Sequence, residues 1–180
     1  QERVRIASAG HVLFNCTSLP STSVAGAGFE KNGSQAILFS SSGSSTASSN
    51  HAEFINGNGV VGRINTNGSS TTYYTSSDYR LKENQVAISD GITRLKSLKP
   101  YRFNFKADST KTVDGFFAHE VSPVVPEAIG GEKDAVDSDN NPVYQDIDHS
   151  KLVPLLTAAL QEAITEIETL KTKVAALEGS

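Results

Sequence analysis

Apolar and polar positions divide the chain into three stretches with different rhythms. Up to about residue 76 the apolar residues come in short bursts separated by Gly, Ser, Thr and Asn. Arg3-Val4-Arg5-Ile6-Ala7 alternates, Ala9-Gly10 reads as a turn, and His11-Val12-Leu13-Phe14 as a second strand. Ala36-Ile37-Leu38-Phe39 is another burst. Glu53-Phe54-Ile55 and Val60-Val61-Gly62-Arg63-Ile64 flank Asn56-Gly57-Asn58-Gly59, and the Asn-Gly pair predicts a hairpin. Asn67-Gly68 marks a further turn ahead of Thr71-Thr72-Tyr73-Tyr74. The run from Ser41 to Asn50, viewed alone, resembles a flexible linker. Strands so short and so poor in core residues do not make a lone sandwich. Wound around identical neighbours they would share a narrow core that small Ser, Thr and Gly side chains fit. A disordered Ser/Gly segment is the competing reading.

Residues 78 to about 149 read as a small mixed α/β unit. Ile92, Leu95 and Leu98 recur at helical spacing, and Pro100 ends that helix. Tyr101-Arg102-Phe103-Asn104-Phe105 alternates strictly, which predicts a strand with its three aromatic residues on one face. The apolar run from Asp114 to Val121 should cross or border the core, and Pro123 and Pro126 break any helix after it. Gly130 to Pro142 is acidic and poor in large apolar residues, an exposed loop or arm.

From Val153 the spacing changes again. Val153, Leu156, Leu160, Ala163, Ile167, Leu170, Val174 and Leu177 are spaced alternately three and four, a heptad seam continuing towards the chain end. Glu166 at g and Lys171 at the following e suit pairing between parallel helices. This predicts an oligomer through a coiled coil over 151–178. β-branched a positions with Leu at d lean towards two strands, so the heptads alone do not give three.

Composition narrows the classes. The 180 residues carry a net charge of -4, against the basic patch expected of a nucleic-acid-binding protein. No run is long and apolar enough for membrane insertion. The single Cys16 excludes a disulfide framework, and His11, His51, His119 and His149 have no metal-ligand spacing, so neither metal nor other cofactor is expected. The chain opens on Gln1 with no signal-peptide pattern, and reads as a fragment of something longer. Its hydrophobic content of 37% is low, and the first half carries the deficit.

Candidate chemistry sits at the seam between the first two stretches, Thr75-Ser76-Ser77-Asp78-Tyr79-Arg80-Leu81-Lys82-Glu83-Asn84. A serine hydroxyl becomes a nucleophile when a base takes its proton, and a desolvated lysine can be that base. Ser77 and Lys82, five residues apart, can meet if the chain turns between them. Spacing alone says little, because any Ser-rich chain contains Ser-x-x-x-x-Lys by chance. On spacing alone a surface lysine and a turn serine are the favoured reading.

Ser77-Asp78-Tyr79-Arg80-Leu81-Lys82-Glu83-Asn84, then Leu98-Lys99-Pro100-Tyr101-Arg102-Phe103, then Gly115-Phe116-Phe117-Ala118-His119-Glu120-Val121 give three motifs in order. Together with Lys151-Leu152-Val153-Pro154-Leu155-Leu156 they closely resemble the intramolecular chaperone domain of phage tail spikes and fibres. This is the self-cleaving S74 peptidase family, found also in endosialidase tailspikes and the myelin regulatory factor. The resemblance covers about residues 76–180, and the upstream sequence looks like fibre shaft.

The resemblance implies a homotrimer: residues 1–77 a β-rich shaft segment of triple β-helix type, and residues 78–180 a small α/β chaperone domain with the coiled-coil helix. The chaperone would register its own upstream shaft, then cut itself away at the Ser77-Asp78 motif. It implies Ser77 as nucleophile and Lys82 as base, with Asp78 and Arg80 as signature residues. Gly115 would lend a backbone N–H to an oxyanion, and His119 and Glu120 would orient the site or serve structure. It implies a virion protein whose chaperone acts in the host cytoplasm, and a full-length fibre that meets a host surface receptor. Family members are described as cut between their Ser and Asp. Ser77 attacking its own carbonyl closes a strained four-membered ring, whereas attack on the Ser76 carbonyl closes a five-membered one and cuts Ser76–Ser77. A Ser77 from a neighbouring chain or an activated water also avoids the strain. The alternative function is a trimerisation module at a receptor-binding fibre tip that never cuts.

Overall fold

The structure, a computed structural model, describes residues 3–8, 10–32 and 35–179. The chain divides into two compact units, one ending at Asn84 and the other beginning at Gln85.

In the first unit each strand pairs with its sequence neighbour, always antiparallel. β1 (Val4–Ile6), β2 (Val12–Phe14), β3 (Ala25–Asn32) and β4 (Gln35–Ser42) form one meander. β5 (Ser49–Asn56), β6 (Gly59–Asn67) and β7 (Ser70–Thr75) form another. The predicted Asn-Gly hairpin joins β5 to β6. There the Asn58 N–H donates to the Asn56 side chain at 2.9 Å, and Gly59 takes φ +94, where a side chain would be strained. The Ser-rich run is not a linker along its length. Ser41 and Ser42 end β4, Ser49 and Asn50 open β5, and Ser42 Oγ donates to the Ser45 carbonyl at 3.2 Å between them. Buried Asn65 ties this connection down by donating to Ser48 Oγ (3.1 Å) and Asn50 Oδ1 (2.9 Å).

Among the described residues, Leu13 is the one large apolar side chain fully buried in this unit. It lies opposite Gly28, where a Cβ would stand 3.0 Å from its Cδ2. Leu38, Phe54, Ile55 and Tyr73 are all more than half exposed. One buried anchor is little core for a sheet protein of this length.

The second unit has a core of its own, made by Leu98, Val121, Val125, Ala128, Leu152 and Leu155, with Leu95, Phe116 and Ile147 packed against it. Its elements are α1 (Gly91–Ser97), the hairpin of β8 (Tyr101–Phe105) with β9 (Asp108–Gly115), and α2 (Ala118–Val121). A short ladder of β10 (Ile129–Gly130) with β11 (Asp146–Ile147) follows, and then α3 (Val153–Glu178). The acidic segment between β10 and β11 is a largely exposed loop, crossed by a bridge from Val136 to Pro142. The fold is therefore mixed, small antiparallel sheets followed by a long C-terminal helix.

α3 has two uses for its surface. Leu155, Ala158 and Ala159, spaced to share one face, are buried against the unit's own core and α1. The heptad positions Val153, Leu156, Leu160, Ile167, Leu170, Val174 and Leu177 are each 47% exposed or more.

Candidate functional site

The candidate site begins where β7 ends. Thr75 pairs with Gly62 of β6, and one residue later the pairing still holds. The Ser76 N–H donates to the Val61 carbonyl at 3.1 Å, and Ser76 Oγ donates to the Val60 carbonyl at 3.3 Å. The chain then turns through a single 3-10 turn, Tyr79–Leu81, whose cap is Asp78. Asp78 Oδ1 accepts from the Arg80 backbone N–H and from Nε, both at 2.9 Å, and Oδ2 accepts from Nη2 at 2.8 Å. Such a two-pronged Arg–carboxylate pair fixes direction as well as distance. The Arg80 guanidinium first, and its backbone N–H second, hold the Asp78 carboxyl below the ordinary carboxylate value, while Asp78 pushes the guanidinium's pKa up.

This turn brings Lys82 back to Ser77. Lys82 Nζ donates to Ser77 Oγ at 2.8 Å. A hydroxyl and an amine at that distance have the geometry of a nucleophile and its base. Both side chains are exposed here. A lysine acts as base where burial keeps water from it and lowers its proton affinity.

Gly115, His119 and Glu120 form their own cluster in the second unit. Gly115 is the last residue of β9, opposite Tyr101, and a Cβ there would press within 3.2 Å of the Phe103 ring. Phe117 stacks on Phe103 at 6.1 Å and on His119 at 6.0 Å. Glu120 Oε1 accepts from Lys99 Nζ at 3.2 Å, while its buried Oε2 has no hydrogen-bond partner among the described residues. Burial alone would raise the Glu120 carboxyl; the Tyr101 hydroxyl and the Lys99 ammonium, with a smaller contribution from His119, outweigh it and hold the value below the usual one.

The sequence offers Ser76 only as a candidate scissile carbonyl; its bonds to the Val60 and Val61 carbonyls have no residue signature, since every residue carries a carbonyl. In the sequence Lys99 and Tyr101 are motif residues, Tyr101 also one of the strand's three aromatics, and their contact with Glu120 joins positions 21 and 19 apart. No group of three His, Cys, Asp or Glu residues with metal-binding geometry occurs among the described residues, and no helix among them is long and apolar enough to cross a membrane.

Residues 77–130 match the family model Peptidase_S74, described as the chaperone of endosialidase. Over these residues the chain is similar to the S74 chaperone family. The match opens on Ser77 and takes in Lys82, Gly115, His119 and Glu120; α3 lies beyond it. No curated protein matches the chain. The S74 family supplies a chaperone role, and its peptidase name is associated with self-cleavage by a serine.

Proposed function

We propose that the S74 domain brings three copies of this chain together, holds the upstream β segment in register while it winds into a trimeric shaft, and then cuts itself free. The observation that carries the cutting step is the 2.8 Å contact of Lys82 Nζ with Ser77 Oγ. The exposed heptad seam of α3 supports assembly, because an apolar stripe of that length is unfavourable in water. Three strands rather than two follow from the family resemblance. The natural setting would be a virion fibre, with the domain acting in the host cytoplasm before the fibre meets a surface receptor.

The clamp has a physical purpose. Three chains must find one register, and non-local strand pairing is slow. Joining their ends raises the effective concentration of the strands for one another. Removing the clamp afterwards leaves the shaft held by its unfolding barrier.

The bond that the resemblance designates is Ser77–Asp78, and attack by the Ser77 of another copy, like attack by an activated water, avoids the ring strain. The Ser77 hydroxyl of one chain bonds to the Ser77 carbonyl carbon of another, and Lys82 takes the hydroxyl proton. The bond to the Asp78 nitrogen breaks, that nitrogen receives the proton, and water hydrolyses the remaining ester to a carboxylate and the restored serine.

Intact mass of freshly purified protein, with Ser77→Ala and Lys82→Ala alongside, tests the reading. Two fragments from the wild type and one whole chain from each variant are expected, and the fragment masses distinguish Ser77–Asp78 from Ser76–Ser77. A wild type that stays whole yet runs as a trimer removes the peptidase and leaves a permanent trimerisation module.

A further inference from the structure

We infer that the end of the β6–β7 hairpin is part of the cutting apparatus, with Ser76 as a positioning residue clamped to the carbonyls of Val60 and Val61. This rests on the self-cleavage reading of Ser77 and Lys82, and adds to it the element that aims the nucleophile. Ser77 lies between two fixed points. On one side Ser76 gives its N–H to Val61 (3.1 Å) and its hydroxyl to Val60 (3.3 Å), two bonds from one residue to successive carbonyls of β6. On the other side Asp78 is locked by three bonds from Arg80. With both neighbours held, the Ser77 hydroxyl has few directions left, and the one it takes meets Lys82.

The clamp exists only when β7 lies on β6. Its neighbouring rung is Thr75 opposite Gly62, where the strands run close enough that a Cβ on Gly62 would stand 3.1 Å from the Tyr74 carbonyl. An unpaired β7 leaves Ser76 without its acceptors and Ser77 free to turn from Lys82. Reacting groups misplaced by about 1 Å lose on the order of a hundredfold in rate. Cutting thus depends on closure of the last hairpin of the upstream segment, one local rung standing in for the state of the strands before it.

The test follows cleavage of the full chain by intact mass against time, with oligomeric state and strand content recorded for each protein. Ser76→Ala removes the hydroxyl bond and slows cutting about three- to tenfold. Ser76→Thr keeps a hydroxyl and restores a rate near wild type. Gly62→Val leaves residues 75–84 untouched, forces the strands apart at the adjacent rung, and slows cutting by about tenfold or more. Ser76→Ala and Gly62→Val proteins that assemble and cut at the wild-type rate overturn the clamp while leaving self-cleavage standing. A wild type that never cuts overturns both.

Discussion

Glu162 of α3 caps the first turn of α1: Gly91 donates its backbone N–H to Oε1 at 2.7 Å, and Ile92 donates to Oε2 at 2.9 Å. The ordinary cap position is taken by Asp90, whose side chain makes no capping bond. A carboxylate some 70 residues away thus satisfies two of the free donors at the helix start, and its charge complements the positive end of the helix. Glu162→Ala is expected to destabilise the second unit by about 1–3 kcal/mol. Glu162→Gln, which keeps one acceptor, should cost less. Urea unfolding followed by circular dichroism measures both. Glu162 lies off the heptad seam, so oligomeric state should not change.

Gly91 itself permits that approach. A Cβ there would lie 2.5 Å from the Ala159 nitrogen and 2.8 Å from the Ala158 carbonyl carbon, both backbone. Exchanging Gly for Ala inside a helix ordinarily stabilises it by up to about 1 kcal/mol. Here the sign reverses. Gly91→Ala should destabilise by about 1–3 kcal/mol as α1 is pushed off α3, read as a lower urea midpoint.

Much of the second unit is legible in its sequence, for a physical reason in each case. Strict alternation over Tyr101–Phe105 leaves little choice but a strand, and the three-four spacing from Val153 little choice but a helix. β3 escapes notice because Ala25-Gly26-Ala27-Gly28 has neither β-branched nor aromatic residues. Gly28 leaves room for Leu13 and Gly26 for Cys16, close contacts that do not themselves favour a strand. β9 escapes because Asp108-Ser109-Thr110-Lys111 has no apolar alternation, and its ladder with β8 runs mainly over Thr112 to Gly115. The cap from Glu162 is a tertiary contact that no local pattern encodes. At the site, spacing never separated Ser77 and Lys82 from chance. The family resemblance singled them out, and the Asp78–Arg80 turn is the local structure that lets them meet.

That turn has a definite pH signature. Arg80 lowers the Asp78 carboxyl, so the bonds across the turn are fully present above the ordinary value of 3.8 and are lost only as pH falls through the lowered one. Carboxyl chemical shifts should therefore give Asp78 a midpoint below 3.8. Arg80→Ala should move that midpoint up, and with the turn loosened should slow any cut at Ser77. A midpoint unchanged by Arg80→Ala would mean the pair does not persist in solution.

Assembly can be separated from folding on α3. Ile167→Asp with Leu170→Asp places charge on two seam positions that are each more than half exposed and leaves Leu155 and its core untouched. Sedimentation should show the wild type as a trimer and the double variant as a monomer, with the second unit's core retained. By contrast, Leu155→Ala should cost about 2–5 kcal/mol of stability, because that side chain is 2% exposed.

The exposure of α3 beyond Ala163 has one more consequence. A helical tail of about fifteen residues with no packed face is marginal in water on its own. If the seam assembles as proposed, the tail's helicity comes from association, and the far-ultraviolet signal of the protein should fall with its concentration. Dilution should unwind the tail from its free end well before the core around Val121 gives way, which would tie the proposed registering of the upstream strands to the protein's own abundance.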